Sequence, residues 1–306
     1  MIYEYALEPE LVATWHSRED FRFFVDKFGL GRGRIVSRYP RHWAKLVWES
    51  CTPRAGDMAR KRLEELLMRF TERMIRRAGT HYDGSISWLL NAETEHSRQP
   101  FHAILARANP RLREHVLIPD DIDRGAERWI VRTDCVVTRT AVALAAAIHS
   151  VMSCCSTVIF IDPHFSPDKI RYRRSLREFL RSLVAKRSGS LLRVELHTGD
   201  ESSVQFFREN CDNKLKPIVP TGLTLLLKRW RMKPGSEALH HRYVLTDLGG
   251  IGFKYGLDDD DGAGGQTDEL NLLSVEVYRL RWEQYLGDRP AFELVDEYTI
   301  VGEGQP

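Results

Sequence analysis

The chain has 306 residues, 42% of them hydrophobic and 29% charged, with a formal net charge of +2. That length and balance suit about two folded domains and exclude a disordered chain or one whose overall charge dictates its partners. Five cysteines (Cys51, Cys135, Cys154, Cys155 and Cys211) form no CxxC pair and leave an odd count, which excludes a disulfide framework or zinc ribbon and points to a reduced, cytoplasmic protein.

The first ten residues, MIYEYALEPE, are acidic and lack the basic-then-apolar order of a signal peptide. Residues 1–125 read as a mostly helical N-terminal domain. Helices are expected over Pro9–Phe28, Arg41–Ser50 and Glu93–Arg107. From Ala59 onward, Leu63, Leu66, Leu67, Phe70 and Met74 recur at helical spacing. Gly29, Gly31 and Gly33 follow no strand, so they read as a turn and not as a phosphate loop. Between Pro110 and Asp123, prolines and a run of acids mark a boundary, and a second domain is expected over 126–306.

Val136–Cys154 is apolar nearly all round, as in a helix buried on several sides. Its most apolar window, Ala141–Val151, is too short to span a bilayer, so no transmembrane segment is expected. Thr157–Ile161 is a β-branched and aromatic run of the kind found in buried parallel strands. An amphipathic helix follows, carrying Leu176, Phe179, Leu180, Leu183 and Val184. Then come a strand at Leu192–Leu196, a helix around Val204–Asn210 and a strand at Leu223–Leu227. This alternation predicts an α/β domain with a mixed sheet flanked by helices. A hairpin ends the series: His240–Thr246, a turn at Asp247–Gly250, and Ile251–Tyr255.

The hairpin carries the chemistry. His240-x-Arg242-x4-Asp247 sets an imidazole and a guanidinium two residues apart, which on a strand share a face. Such a pair suits a phosphodiester: the histidine as nucleophile or acid, the guanidinium clamping two phosphate oxygens. Asp247 is expected to orient one of them. His241 is expected on the opposite face. His164, His197, Lys228 and Arg231 follow predicted strands, at the edge where open α/β sheets bind ligands, and are candidate substrate-binding residues. Asp162, ahead of Pro163, is assigned a supporting place behind them.

The spacing resembles the HxK(x4)D signature of the phospholipase D superfamily, with arginine in place of lysine. The ordered context is similar to the phospholipase-D-like C-terminal domain of proteins carrying a microtubule-interacting-and-transport module. The elements that match are Ile161-Asp162-Pro163, Leu192–Leu196, His240-x-Arg242 and Gly256-Leu257-Asp258, spread over about residues 129–300. The resemblance implies a phospholipase-D-like fold, with His240, Arg242 and Asp247 catalytic and Asp258 beside the substrate. It also implies chemistry that needs no metal or cofactor. One motif copy stands where the superfamily's enzymes bring two together, which implies a homodimer. The function implied is a metal-independent phosphodiesterase (a hydrolase), foremost a nuclease, with a place in bacterial antiviral defence by analogy with stand-alone members. The alternative is a catalytically inactive module binding phosphorylated headgroups or nucleic-acid backbone, since Gly256-Leu257-Asp258 replaces the usual Gly-Ser-x-Asn and relatives with the arginine form bind lipid headgroups.

Charge distribution bears on partners. Residues 32–77 hold 13 Lys/Arg against 5 Asp/Glu. A second cluster comprises Lys169, Arg171, Arg173, Arg174, Arg177, Arg181, Lys186 and Arg187. Together they imply DNA or RNA as a partner ahead of anionic lipid headgroups, and the N-terminal half is left as a surface for a protein partner. Asp258–Asp261 with the glycines after it reads as a solvated loop and not a metal site.

Overall fold

The computed structural model describes residues 1–29, 31–51, 56–71, 74–77, 79–185, 191, 193–261 and 265–304. Two compact units divide the chain: Ile2–Arg132, and Thr133–Pro306 with Met1. Among the described residues no helix is long and apolar enough to cross a membrane.

The N-terminal unit runs β1 (Tyr3–Leu7), α1 (Pro9–Ala13), α2 (Arg18–Lys27), β2 (Arg34–Val36), α3 (Trp43–Ser50), α4 (Asp57–Thr71), α5 (Trp88–Arg98), β3 (Ala103–Leu105), β4 (Val116–Leu117) and α6 (Pro119–Asp123). Helices dominate, as the sequence predicts, but they cover a four-stranded parallel sheet ordered β2-β1-β3-β4 that the sequence reading does not contain. Two reasons explain the difference. The strands are two to five residues long, and β1 carries an acid, Glu4, inside its run. Arg77 makes that acid tolerable by donating to both of its oxygens at 2.8 Å from within the core. Alternation along β1 then sends Tyr5 and Leu7 into one cluster with Trp43, Leu63 and Phe70, and Ala6 into another with Tyr39, Trp88 and Phe101. Both faces of the sheet are thereby buried.

The second unit runs β5 (Asp134–Thr138), α7 (Ala141–Met152), β6 (Thr157–Ile161), α8 (Ile170–Val184), β7 (Arg193–Gly199), α9 (Val204–Asn210), β8 (Thr224–Arg231), β9 (Tyr243–Thr246), β10 (Gly249–Phe253), β11 (Thr267–Leu272), α10 (Val275–Leu286) and β12 (Glu293–Val301). It is α/β, built on an eight-stranded mixed sheet ordered β12-β8-β7-β6-β9-β10-β11-β5. β6, β7 and β8 are parallel, while β9 lies antiparallel to β6 and leads into the hairpin. Phe179 of α8 packs on Phe160 and Phe253, and Tyr285 of α10 packs on His197. The pairings Ile161↔His197 and Phe160↔Val244 sort the side chains into two faces. Phe160, Asp162 and Val244 belong to the α8 face; Ile161, His197 and Tyr243 belong to the α10 face. The expected single helix from Val136 begins instead with strand β5, broken at Arg139 and restarted where Thr140 caps α7 through the amide of Ala143.

Candidate functional site

The parallel strand β6 ends at Ile161, and the next residue, Asp162, is 1% exposed. Its Oδ1 accepts from the amide of His164 at 3.0 Å and its Oδ2 from the amide of Leu257 at 2.9 Å. Gly256 makes this approach possible. It has φ 150°, and a Cβ there would lie 2.6 Å from Asp258 Oδ1 and 3.2 Å from Asp162 Oδ2. Two buried carboxylates therefore flank one glycine at the sheet edge. Three arginines offset them. Arg139 donates to Asp258 Oδ1 at 2.8 Å, Arg171 lies 3.2 Å from Asp258 Oδ2, and Arg242 is close enough to Asp162 to lower its pKa. Burial nonetheless dominates and raises the Asp162 carboxyl above its ordinary range. Arg242 itself is half-buried, and its Nε is buried with no partner among the described residues.

His240 stands at the rim. The β9–β10 ladder reaches back only to the Arg242 carbonyl, which accepts from the amide of Phe253. His240 is thus beyond the extended backbone, and strand alternation does not govern its ring. The ring lies 3.9 Å from that of His241, tilted by 40°, and no hydrogen bond joins it to Arg242 among the described residues. Its Nδ1–H donates to the Ala238 carbonyl at 2.9 Å, which fixes the tautomer and leaves Nε2, on an exposed side chain, without a hydrogen bond among the described residues. His241 lies beside Tyr243, at 24° to its ring, but its own ring neighbours that of His240, so the expected separation of the two histidines onto opposite faces does not hold. His241 donates through Nε2 to Glu237 at 2.8 Å, and Arg281 donates to both Glu237 oxygens at 3.0 and 2.9 Å. Burial pushes the Glu237 carboxyl up, but hydrogen bonds from Gln284, His241 and Arg281 outweigh it and hold it at about 2.

Glu237, His240 and His241 bring one ligand atom each within 4.8 Å of one another. The Arg281 guanidinium, 3.0 Å from His241 Nε2 and bonded to both carboxylate oxygens, already supplies the positive charge at that point. A metal ion would have to displace it.

The other predicted residues separate. Asp247 sits at the far end of β9, where its carboxylate accepts from the Ser156 amide and hydroxyl and from the Thr157 amide at 2.5–3.0 Å. It ties the start of β6 and does not meet His240 or Arg242. His197 does not line an edge: β7 continues to Gly199, two residues past it, and the imidazole is buried against Glu195 at 2.6 Å. Lys228 lies inside β8, 3.7 Å from Glu195 and from Glu297 on that same face. His164 and Arg231 do reach the edge, where they are exposed and paired with Glu201 and Asp200. Asp258 is the predicted binding residue that joins the Arg242 group.

Arg139, Arg171 and the contribution of Asp162 are what the sequence reading misses or understates. The available signals were Asp162 before a proline and Gly256 just ahead of an acid. The basic cluster is also less free than its count implies. Arg171 and Arg174 face Asp258 and Asp259, Arg173 donates to the carbonyls of Pro167 and Asp168, and Arg177 and Arg181 share Glu178. Lys186 and Arg187 lie outside the described residues, as do Leu192 and Gly262.

No family model matches the sequence, and no curated protein matches it. Among solved structures the chain is similar to TrmBL2, an archaeal chromatin protein described as showing a novel mode of DNA binding. The likeness has 9% identity and a TM-score of 0.27, over 78% of this chain and 71% of that one. A score that low carries no argument about fold or function.

Proposed function

We propose that the second unit is a phospholipase-D-like phosphodiesterase of the cytoplasm that acts on nucleic acid as a homodimer. The observation that carries this reading is the exposed Nε2 of His240 two residues before a half-buried guanidinium, with neither that Nε2 nor the Arg242 Nε hydrogen-bonded among the described residues. An imidazole with its other nitrogen bonded is a fixed nucleophile, and an unsatisfied buried donor costs free energy until an anion arrives. In the first step Nε2 attacks phosphorus and the P–O bond to the leaving group breaks. The leaving oxygen takes its proton from His240 of a second copy. In the second step that imidazole accepts a proton from water, which attacks phosphorus and frees His240. Arg242 holds the non-bridging oxygens throughout.

A second reading, phosphate binding without turnover, draws support from Asp247. Its carboxylate is committed to Ser156 and Thr157 and is not available to orient the histidine. Hydrolysis of bis-nitrophenyl phosphate and of single-stranded DNA in EDTA separates the two readings. The enzyme reading expects turnover that His240→Ala reduces by more than the roughly 100- to 10,000-fold of a lost general acid or base. Absent turnover with retained, Arg242-dependent phosphate binding selects the second reading. Turnover indifferent to His240→Ala overturns the first.

A further inference from the structure

The segment from Glu237 to His241 folds so that one carboxylate and two imidazoles each bring a ligand atom within 4.8 Å of the other two. Around an ion with bonds of about 2.0–2.1 Å, tetrahedral ligands stand about 3.4 Å apart, so closure asks for movements of about 1 Å. Glu237 and His240 are exposed and able to turn that far. Outer partners already orient all three side chains, as around bound metals. His240 gives its Nδ1–H to the Ala238 carbonyl and keeps Nε2 for an ion. Gln284 donates to Glu237 Oε2 at 2.9 Å, which leaves Oε1 towards the histidines. Tyr243 lies against the His241 ring.

The contacts of His241 Nε2 conflict with one another. It lies 2.8 Å from Glu237 Oε1 and 3.0 Å from Arg281 Nη2. One nitrogen of a neutral imidazole either donates or accepts. With its proton turned to Glu237, Nε2 presents no lone pair to the guanidinium, and two donors meet. With the proton on Nδ1 instead, Nε2 and Oε1 are two electron-rich atoms held at 2.8 Å. Either tautomer leaves one contact unfavourable. A cation that takes a lone pair from each atom removes the conflict. Arg281 then keeps Gln284 Oε1, its partner at 2.7 Å, and its place over the Tyr243 ring.

We propose that Glu237, His240 and His241 bind a divalent transition ion of the zinc class, which takes the place of the Arg281 guanidinium and occupies His240 Nε2. Two imidazoles and one carboxylate favour such an ion over magnesium or calcium, which prefer all-oxygen sites. Three ligands leave a fourth position for water. Binding stands whether or not His240 is catalytic. Its consequence rests on the phosphodiesterase reading: a nitrogen whose lone pair is on a metal cannot attack phosphorus, so the ion inhibits.

Isothermal titration of the full chain with Zn²⁺ tests the site. Saturable binding is expected, with no comparable heat from Mg²⁺ or Ca²⁺. Glu237→Gln, His240→Ala and His241→Ala should each weaken it by at least the roughly 10- to 100-fold that loss of an outer partner costs. These variants separate the site from the free cysteines, which also take zinc. His164→Ala, which removes a histidine paired with Glu201 elsewhere, should change nothing. Arg281→Gln should tighten binding, because the competing cation is gone. Zn²⁺ affinity unmoved by the three ligand variants, or weakened by Arg281→Gln, overturns the assignment. With bis-nitrophenyl phosphate, Zn²⁺ should stop turnover and EDTA restore it. The half-inhibiting concentration should rise in Glu237→Gln by the same factor as its dissociation constant. Turnover that persists at saturating Zn²⁺ overturns the inhibition. Ligand-dependent Zn²⁺ binding without turnover under any condition supports the metal site and removes the phosphodiesterase reading alone.

Discussion

At the scale of single residues, the acid of the sequence motif and the acid of the site prove to be different groups. Asp247 accepts three hydrogen bonds at the start of β6, so Asp247→Ala is expected to cost about 1–2 kcal/mol of stability while leaving phosphate affinity per folded molecule intact. Urea unfolding beside a binding titration checks both parts. A loss of phosphate affinity at unchanged stability would return Asp247 to the site. The buried pair on β7 makes a pH prediction. Burial raises the Glu195 carboxyl, but hydrogen bonds from His197 and Arg193 and the charge of Lys228 overcome this and bring it to about 2. An unfolded glutamate titrates near 4.5, so its stabilisation is complete above 4.5 and is lost as pH falls towards about 2. Burial lowers the pKa of His197, while an unfolded histidine takes up its proton near 6.5, so acidification below 6.5 also favours unfolding. The urea midpoint should therefore fall as pH drops from 6.5, and Glu195→Gln should flatten the part below 4.5. A midpoint constant over this window contradicts the pairing.

At the scale of elements, the hairpin and its following loop position the site through one glycine. Gly256→Ala would set a methyl group 2.6 Å from Asp258 Oδ1 and 3.2 Å from Asp162 Oδ2, at a φ that alanine rarely adopts. The expected cost is about 1–3 kcal/mol, with weaker phosphate binding as the carboxylates shift against Arg139 and Arg171. A thermal midpoint equal to wild type would contradict the close packing. Much of this second unit was legible because its buried parallel strands are continuous apolar runs: Thr157–Ile161 is found with the bounds read from sequence. The elements that escape carry acids. β11 alternates exposed and buried residues around Asp268, a buried acid whose Oδ1 accepts from the amides of Lys254, Tyr255 and Glu269. β12 holds Asp296 against Arg208. In the N-terminal unit Glu4 hides β1 in the same way. The partners that make such acids tolerable lie far away in sequence, which local periodicity cannot register. The ends of β7 and β8 slipped for a related reason: His197 and Lys228 look like loop residues, yet they are buried or half-buried by their charge partners on the sheet.

At the scale of the whole molecule, the account requires two copies and a nucleic acid. One His240 supplies half of a two-histidine site, so light scattering should report a dimer at micromolar concentration, and a strict monomer would remove the two-histidine route. Nucleic-acid affinity should depend on salt, but modestly. With the α8 arginines largely engaged by Asp258, Asp259 and Glu178, contact with about two or three phosphates gives a fall of roughly 10- to 40-fold between about 50 and 200 mM salt. A flat titration would argue against backbone contacts. The central claim is that His240 forms a bond to phosphorus, and the most direct measurement is mass spectrometry of the protein after acid-free denaturing quench during turnover of a phosphodiester. The account predicts a base-stable, acid-labile phosphoryl adduct on His240 that is absent from His240→Ala. Turnover with no adduct, or an adduct on His241 or His164 instead, would contradict it.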